Sequence, residues 1–223
     1  MQLDDTSFPL ITGDSTFDVV VLCDGDYPTN PIPASILKRA QHVCCCDNAA
    51  LRYITEGNMP QIIIGDGDSL PKDIQQKYAH IVKRIDEQED NDQTKATRYC
   101  IEQGYKRIAY LGSTGKREDH TIGNISLLMR YYKQMGLEVT MITDYGYFTP
   151  AHGNITLKTF KGQQVSIFNM NCTSLSSNGL KWNVYAFGEL WQGTLNEAMG
   201  NEVNIQADGY YLIYRTFKAK ESI

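Results

Sequence analysis

Apolar and polar residues follow two different patterns along this chain, and the change between them falls near Tyr145. Before that point, short runs of apolar residues alternate with longer segments of helical periodicity. The apolar runs predict strands at residues 17–23, 42–46, 62–64, 80–85, 107–111 and 138–143. The segments between them predict helices at residues 31–39, 48–55, 71–78, 93–103 and 119–135. Strands that alternate with helices in this way favour a mainly parallel sheet with helices on its faces.

From Ala151 onward no helical pattern is present, and short alternating runs predict strands instead. These predicted strands are residues 155–160, 164–169, 180–185, 202–206 and 210–216. We therefore predict an α/β N-terminal domain with a mainly parallel, Rossmann-like sheet (residues 1–148) and an all-β C-terminal sandwich (residues 149–223). Because so short a β domain buries little apolar surface alone, we expect it to pack on the first domain or on a second subunit.

Charge and composition exclude several classes of protein. The net charge of −5 makes binding to a nucleic acid backbone a poor prediction. The N-terminal residues lack the basic and apolar regions of a signal peptide, and no apolar run is long enough to span a membrane. The six cysteines have no paired C-x-x-C spacing and are best interpreted as buried thiols of a cytoplasmic protein.

Two aspartates, Asp66 and Asp68, follow the apolar run at residues 62–64, and Gly67 separates them. A glycine allows a tight turn, so both carboxylates can point at one position. Oxygen ligands of this kind suit Mg²⁺, which binds through one or two carboxylates together with waters and phosphates. The alternative is an ordinary acidic turn.

Further acidic loops occupy equivalent positions in the predicted topology. Asp24 and Gly25 follow the first strand and Asp47 follows the second, while Asp90 and Asp92 precede a helix. Strand ends line up at one edge of a parallel sheet, so we expect these loops to lie close together. Acids at a helix start also interact favourably with the helix dipole, which is the simpler explanation of Asp90 and Asp92.

The loop that follows the strand at residues 107–111 is the basic one. Gly112 and Ser113 open it, and Lys116 and Arg117 can bind phosphate close to a helix N-terminus. Asp119 is either the N-cap of the long helix or a residue that also faces the site. His120 is either a proton carrier or a structural residue of the first helical turn.

Taken in order, these loops resemble the motifs of thiamine pyrophosphokinases. The matching segments are Asp47-Asn48-Ala49, Gly65-Asp66-Gly67-Asp68-Ser69, Asp90-Asn91-Asp92-Gln93-Thr94-Lys95, Gly115-Lys116-Arg117-Glu118-Asp119-His120, Gly179-Leu180-Lys181-Trp182 and Leu195-Asn196. The resemblance departs from the family pattern at Lys95, at Asn48 and Ala49, and at Leu195.

The resemblance implies an enzyme that transfers pyrophosphate from ATP to the hydroxyl of thiamine, giving thiamine diphosphate and AMP. It also implies a homodimer with composite sites. The implied site residues form four groups, and Asp68 and Arg117 each belong to two of them. The metal group holds Mg²⁺ (Asp66, Asp68, Asp90 and Asp92), the catalytic group is Asp47, Asp68, Arg117 and Asp119, the ATP group is Asp24, Gly25, Gly112, Ser113, Arg117 and His120, and the thiamine group is Trp182 and Asn196.

Other interpretations of the same residues remain open. Another Mg²⁺-dependent nucleotide phosphotransferase or hydrolase would use the same acidic edge, and a non-catalytic nucleotide or vitamin sensor would bind without turnover. Trp182 and Trp191, taken one at a time, are more simply explained as core residues of a small β domain. The residues do not decide whether Asp47 or Asp119 accepts the hydroxyl proton.

Overall fold

The computed structural model describes residues 6–67 and 70–220, so the predicted role of Asp68 lies outside the described residues. The chain divides into two compact units. Residues 13–144 form one unit, and residues 6–12 belong with residues 145–220 in the other. The first strand, β1 (Thr6–Phe8), lies in this second unit. The predicted functional boundary at residue 148 stays a prediction, but the compact units differ from it in where they assign the N-terminal residues.

Parallel strands form the sheet of the unit at residues 13–144. They are β2 (Val19–Leu22), β3 (Val43–Cys46), β4 (Ile62–Gly65), β5 (Val82–Arg84), β6 (Arg107–Leu111) and β7 (Glu138–Ile142). Their order across the sheet is β7-β6-β2-β3-β4-β5, and the pairings between these neighbours are parallel. Each residue of β2 and β3 is buried, as expected for strands that helices cover on both faces.

Helices connect these strands at positions close to the predicted ones. They are α1 (Pro31–Arg39), α2 (Ala49–Thr55), α3 (Lys72–Lys77), α4 (Asp92–Glu102) and α5 (Glu118–Met135). Helix α4 begins where the Asn91 side chain accepts a hydrogen bond from the Thr94 N–H, and α5 ends at Gly136, which has φ of 66°. Among the described helices, none has both the length and the apolar character that a membrane crossing requires.

In the part that the structure describes, the other unit is all-β apart from one short 3₁₀ turn at Leu190–Gly193. Its further strands are β8 (Gly146–His152), β9 (Ile155–Lys158), β10 (Gln163–Asn169), β11 (Leu175–Asn178), β12 (Asn196–Glu197), β13 (Glu202–Ala207) and β14 (Tyr210–Ala219). One set of neighbours is β1-β9-β13-β11, and the other is β12-β10-β14-β8. Side chains from both sets, among them Leu157, Val165, Val203 and Ile213, share one buried apolar cluster. The chain therefore contains mixed strand pairings and an all-β C-terminal part.

A buried arginine attaches the N-terminal residues to this β unit. Arg215 of β14 is 1% exposed, and its guanidinium donates to the carbonyl oxygens of Pro9 at 3.0 Å and Lys158 at 2.8 Å. The face of Tyr147 lies 4.8 Å from the guanidinium carbon. These contacts, together with the parallel pairing of β1 and β9, explain why residues 6–12 belong to the β unit.

The prediction of a strand at residues 180–185 is wrong. That segment contains only an isolated bridge between Leu180 and Ala198, and the nearest strand in the chain is β11. Strand β8 was not predicted, because Pro150 lies inside it and proline is unusual in a paired strand. In β8, Pro150 pairs with Leu212 of β14.

Candidate active site

Most of the predicted site residues of the α/β unit line one cleft of about 700 Å³, which we call the strand-end cleft. It lies where β2, β3, β4 and β6 end. The predicted residues that line it are Asp24, Gly25, Asp47, Asp66, Asp90, Asp92, Gly112, Ser113, Arg117 and His120. The topology of a parallel sheet brings these loops together, since the carboxyl ends of neighbouring strands meet at one edge. Asp119 is not part of the cleft lining.

Close backbone contacts join two of the loops. The Gly25 N–H donates to the carbonyl of Gly112 at 2.6 Å, and the Asp26 N–H donates to that of Thr114 at 2.8 Å. A Cβ atom on Gly25 would lie 2.2 Å from the Thr114 carbonyl oxygen, which no real side chain tolerates. Glycine is therefore required at this position, and it fixes the basic loop against the loop that carries Asp24.

Asp47 combines burial with an unusual backbone conformation. It is 6% exposed and has φ of 40°, in the left-handed region that aspartate tolerates better than most residues. Its Cβ packs over Gly65, where an added Cβ would come within 2.8 Å of it. The turn after β3 thus holds the Asp47 carboxylate at the cleft in a fixed position.

Asp92 lies among other charged groups at the start of α4. Burial raises the pKa of the Asp92 carboxyl, Lys95 opposes that shift, and the charges of Asp47 and Asp66 add to it. The ammonium of Lys95 is 3.4 Å from Asp92 Oδ1, and the lysine side chain is only 3% exposed. Lys95, which interrupts the family pattern, is thus a buried cation that lines the strand-end cleft.

Asp90 has a different environment from Asp92. Its carboxyl is 8% exposed and forms ion pairs with Arg98 of α4 and with Arg130 of α5, the latter at 2.8 Å. Each of its two oxygens therefore faces an arginine. These ion pairs link the turn that carries Asp92 to α4 and α5, and the role of Asp90 as a metal ligand stays a prediction.

The donor set at the cleft fits a hard divalent cation. Asp66 and Asp92 offer oxygen ligands of the kind that such cations prefer, and burial, together with the nearby charges of Asp47 and Asp66, raises the pKa of the Asp92 carboxyl. Among residues 6–67 and 70–220, no group of three or more histidine, cysteine, aspartate or glutamate side chains is arranged to hold a metal ion. The predicted third ligand, Asp68, lies outside the described residues.

The basic loop pairs its two cations with carboxylates. The Lys116 ammonium contacts Asp24 Oδ1 at 2.9 Å, and the Arg117 guanidinium donates two hydrogen bonds to Asp119 at 3.1 and 2.5 Å. The hydrogen bonds from Arg117 lower the pKa of the Asp119 carboxyl. Arg117 itself is the N-cap residue of α5, so the interpretation of Asp119 as the N-cap is wrong.

Asn124 of α5 is a cleft residue that sequence reasoning missed. Its Nδ2 donates to the Ser113 carbonyl at 2.8 Å, and its Oδ1 accepts from Asn91 Nδ2 at 2.8 Å. Asn124 therefore ties the basic loop to the turn that precedes α4. Its spacing of one helical turn from His120 was the available signal, because residues four apart share a helix face.

The two residues predicted to bind thiamine line a second cleft of about 360 Å³ in the β unit, which we call the aromatic cleft. Trp182 is 49% exposed there, so it is not a core residue. The Asn196 amide is already bonded to the Trp182 backbone, accepting from its N–H at 3.1 Å and donating to its carbonyl at 2.8 Å. Asn196 thus holds the backbone that presents the indole, a role that its sequence position did not indicate.

Comparisons with known proteins identify the family of both parts of the chain. The chain matches the family model for the thiamin pyrophosphokinase catalytic domain over residues 33–141, and the model for the thiamin pyrophosphokinase substrate-binding domain over residues 146–214. Thiamin pyrophosphokinase 1 of Caenorhabditis elegans is 30% identical over 139 residues, which are 54% of this chain and 54% of that protein. Thiamine pyrophosphokinase 1 of rice (Oryza sativa subsp. japonica) is 26% identical over 156 residues, which are 62% of this chain and 56% of that protein. The chain thus spans about half the length of these curated relatives.

Solved structures share the fold at low sequence identity. Thiamin pyrophosphokinase from Candida albicans has a TM-score of 0.79 and 15% identity, over 98% of this chain and 95% of that one. Yeast thiamin pyrophosphokinase has a TM-score of 0.76 and 14% identity, over 95% of this chain and 90% of that one. At such identities the likeness concerns the fold alone.

Proposed function

This chain belongs to the thiamin pyrophosphokinase family, and we propose that it transfers the pyrophosphoryl group of ATP to the hydroxyl of thiamine. The products are thiamine diphosphate and AMP. The observation that carries the proposal is the strand-end cleft, in which acidic turns face a basic loop at one sheet edge. We also infer that residues 13–144 form a Rossmann-like unit, which the parallel pairing of its strands supports.

The basic loop is our candidate for the triphosphate site. Lys116 and Arg117 would exchange their present carboxylate partners, Asp24 and Asp119, for phosphate oxygens. Both carboxylates are exposed, so the exchange gives up only weak ion pairs. Arg117 would then neutralise the charge that develops on the phosphates during transfer.

Mg²⁺, when bound through Asp66, Asp68 and Asp92, would supply further neutralisation of phosphate charge. The described residues contribute position and charge around it. Lys95 offsets part of the repulsion that Asp92 experiences from neighbouring carboxylates, and Asp90 with its two arginines holds the turn before α4 in place. ATP binding and the Mg²⁺ site both rest on the family and the cleft chemistry.

The thiamine hydroxyl would attack the β-phosphorus in line, the bond to the AMP oxygen would break, and a carboxylate would accept the hydroxyl proton. Asp47 suits that last role better than Asp119. Asp47 lines the cleft, whereas Arg117 lowers the pKa of Asp119 and makes its carboxylate a weaker base. Trp182 would stack on the thiamine rings.

We further propose a homodimer with composite sites and a cytoplasmic location. Exposed apolar side chains on the β unit support a partner surface, since Leu190 is 60%, Trp191 69% and Leu195 66% exposed. Light scattering after size exclusion tests the dimer. Six free, buried cysteines support a reducing compartment.

Product analysis tests the reaction. We expect AMP and thiamine diphosphate in equal amounts, dependent on ATP, Mg²⁺ and thiamine. Arg117→Ala should lower kcat by about 100-fold, in the range for a lost electrostatic contact to the transition state. Arg39→Ala, at an arginine that pairs with Asp14 outside the cleft lining, is the matched control and should leave kcat unchanged.

Two other results would replace the proposal. AMP or ADP that forms without thiamine would indicate a nucleotide hydrolase or another phosphotransferase. Ligand binding without any turnover would indicate a sensor.

A further inference from the structure

Two of the cysteines, Cys23 and Cys46, line the strand-end cleft side by side. Their sulfur atoms are 3.8 Å apart, close enough for one thiol to donate a hydrogen bond to the other. Cys46 ends β3 and Cys23 follows β2, and the parallel register of these strands puts Leu22 opposite Cys45. The next residues along, Cys23 and Cys46, are therefore neighbours across the sheet.

This placement is compatible with a disulfide bond. A disulfide requires Cα atoms about 4.4–6.8 Å apart, and adjacent strands lie about 4.8 Å apart. The sulfur atoms would have to approach by roughly 1.8 Å, from 3.8 Å to the length of an S–S bond.

We propose that Cys23 and Cys46 form a site of reversible oxidation, at which a peroxide converts the two thiols into a cross-strand disulfide. The Cys23 sulfur attacks one peroxide oxygen and the O–O bond breaks. Cys23 becomes a sulfenic acid, and the other oxygen departs as water with the proton of the thiol. The Cys46 sulfur then attacks the Cys23 sulfur, the S–OH bond breaks, and a second water leaves with the Cys46 proton. The two thiols together thus lose two electrons, and one hydrogen peroxide is reduced to two waters.

The order of the two steps follows from exposure and hydrogen bonding. Cys23 is 8% exposed at the cleft wall, whereas Cys46 is 3% exposed. The Cys46 thiol already donates a hydrogen bond to the Asp92 carbonyl at 3.6 Å. Cys23 therefore meets the peroxide first, and Cys46 resolves the sulfenic acid.

The remaining cysteines lack this combination of contact and access. Cys44 and Cys45 are 1% and 0% exposed, and Cys100 is 0% exposed. A hydrogen bond with Cys100 and burial raise the pKa of Cys44. Cys172 lies in the β unit, in the segment between β10 and β11.

Oxidation would change the polar contacts of the cleft. The Cys46 thiol donates to the Asp92 carbonyl at 3.6 Å, and the Ser113 hydroxyl donates to the Cys23 sulfur at 3.3 Å. A disulfide has no S–H donor, so the contact to Asp92 would be lost and the turns that carry Asp24 and Asp47 would be drawn together. We expect the oxidised protein to lose turnover, an expectation that rests on the proposed function, whereas formation of the disulfide does not.

Peptide mapping tests the disulfide directly. The purified full-length chain is treated with hydrogen peroxide, free thiols are alkylated under denaturing conditions, and tryptic peptides are analysed with and without dithiothreitol. We expect a linked pair of peptides containing Cys23 and Cys46, two fewer alkylated thiols than in the untreated protein, and recovery of both by dithiothreitol.

Two variants assign the partner of Cys23, because Cys45 and Cys46 fall on the same tryptic peptide. Cys46→Ala should abolish the linked pair, and the adjacent Cys45→Ala is the matched control that should keep it. A linked pair that persists in Cys46→Ala would overturn the proposal, as would wild-type protein whose two thiols stay alkylatable or oxidise only to unlinked sulfinic acids. Mapping does not depend on turnover, so its outcome is independent of whether the chain makes thiamine diphosphate.

Discussion

Replacing Asp90 with asparagine separates a positioning role from a metal-binding role. Asp90 was predicted as a metal ligand, yet the structure surrounds its carboxyl with Arg98 and Arg130. We expect Asp90→Asn to destabilise the fold while leaving the affinity for a divalent cation largely unchanged. The asparagine keeps the size and one acceptor oxygen of the side chain but removes its charge.

The size of the effect follows from the burial of the three groups. A hydrogen bond to a charged group contributes about 1.5–3 kcal/mol, whereas an exposed ion pair contributes about 0–1 kcal/mol. The Asp90 carboxyl is 8% exposed, but Arg130 and Arg98 are 36% and 48% exposed. Water screens the arginines in part, so we expect a loss of about 1–3 kcal/mol in the free energy of unfolding.

Two measurements on each variant test this reasoning. Urea unfolding gives the change in stability, and electron paramagnetic resonance of bound Mn²⁺ gives cation affinity in the presence of ATP. Asp92→Asn should weaken Mn²⁺ binding, and Asp86→Asn, at a carboxyl that is 84% exposed near Arg84, should change neither quantity. An Asp90→Asn protein that unfolds like the wild type but binds Mn²⁺ less tightly would refute the positioning role.

Three further substitutions probe the loops and the aromatic cleft. Gly25→Ala should destabilise the protein by about 1–3 kcal/mol in urea unfolding, because the new Cβ overlaps the Thr114 carbonyl. Asp18→Asn should lower the free energy of unfolding near neutral pH, because backbone N–H groups at the start of β6 lower the pKa of the Asp18 carboxyl. A carboxyl with a lowered folded-state pKa stabilises the fold above its ordinary value of 3.8, and that stability is lost as pH falls through the lower value. Trp182→Ala should raise the KM for thiamine much more than the KM for ATP.

Each of these three has an outcome that contradicts it. Gly188→Ala adds a Cβ with nothing within 4 Å, so Gly25→Ala must lose clearly more stability than this control. We expect the difference in unfolding free energy between the wild type and Asp18→Asn to shrink on acidification, and a difference that grows would contradict the prediction. Equal changes in both KM values would make Trp182 a structural residue.

The sheet of the α/β unit could be predicted because its central strands are buried on both faces. Residues 19–22 and 43–46 are apolar at every position, and such short unbroken runs lack the polar face of an amphipathic helix. The β unit was harder to predict, since its segment at residues 180–185 alternates like a strand. There, the Asn196 side-chain amide forms hydrogen bonds with the backbone N–H and carbonyl of Trp182, which in a strand would bond to a neighbouring strand. The two residues are fourteen positions apart in the sequence.

For the site, too, features set by local sequence could be predicted, and contacts between distant residues could not. Loop positions after strands predicted which acids face the cleft, because parallel topology alone fixes that edge. The partners of those acids could not be predicted, since Arg130 reaches Asp90 from forty residues away and Asn124 reaches Asn91 from thirty-three. Local sequence gives no indication of such contacts, which depend on how α5 packs on the sheet.

The charges in the strand-end cleft predict that ATP and a divalent cation assist each other's binding. Burial raises the pKa of the Asp92 carboxyl, the charges of Asp47 and Asp66 add to that shift, and Lys95 is a buried cation beside Asp92. A triphosphate that entered this cleft alone would add to the repulsion, whereas one that arrives with Mg²⁺ brings the positive charge that the carboxylates need. We therefore expect ATP to bind weakly without a divalent cation and the cation to bind weakly without ATP, so that each raises the affinity for the other by the same factor. Calorimetric titration of each ligand with and without the other measures that factor directly, and independent binding of the two would contradict the argument.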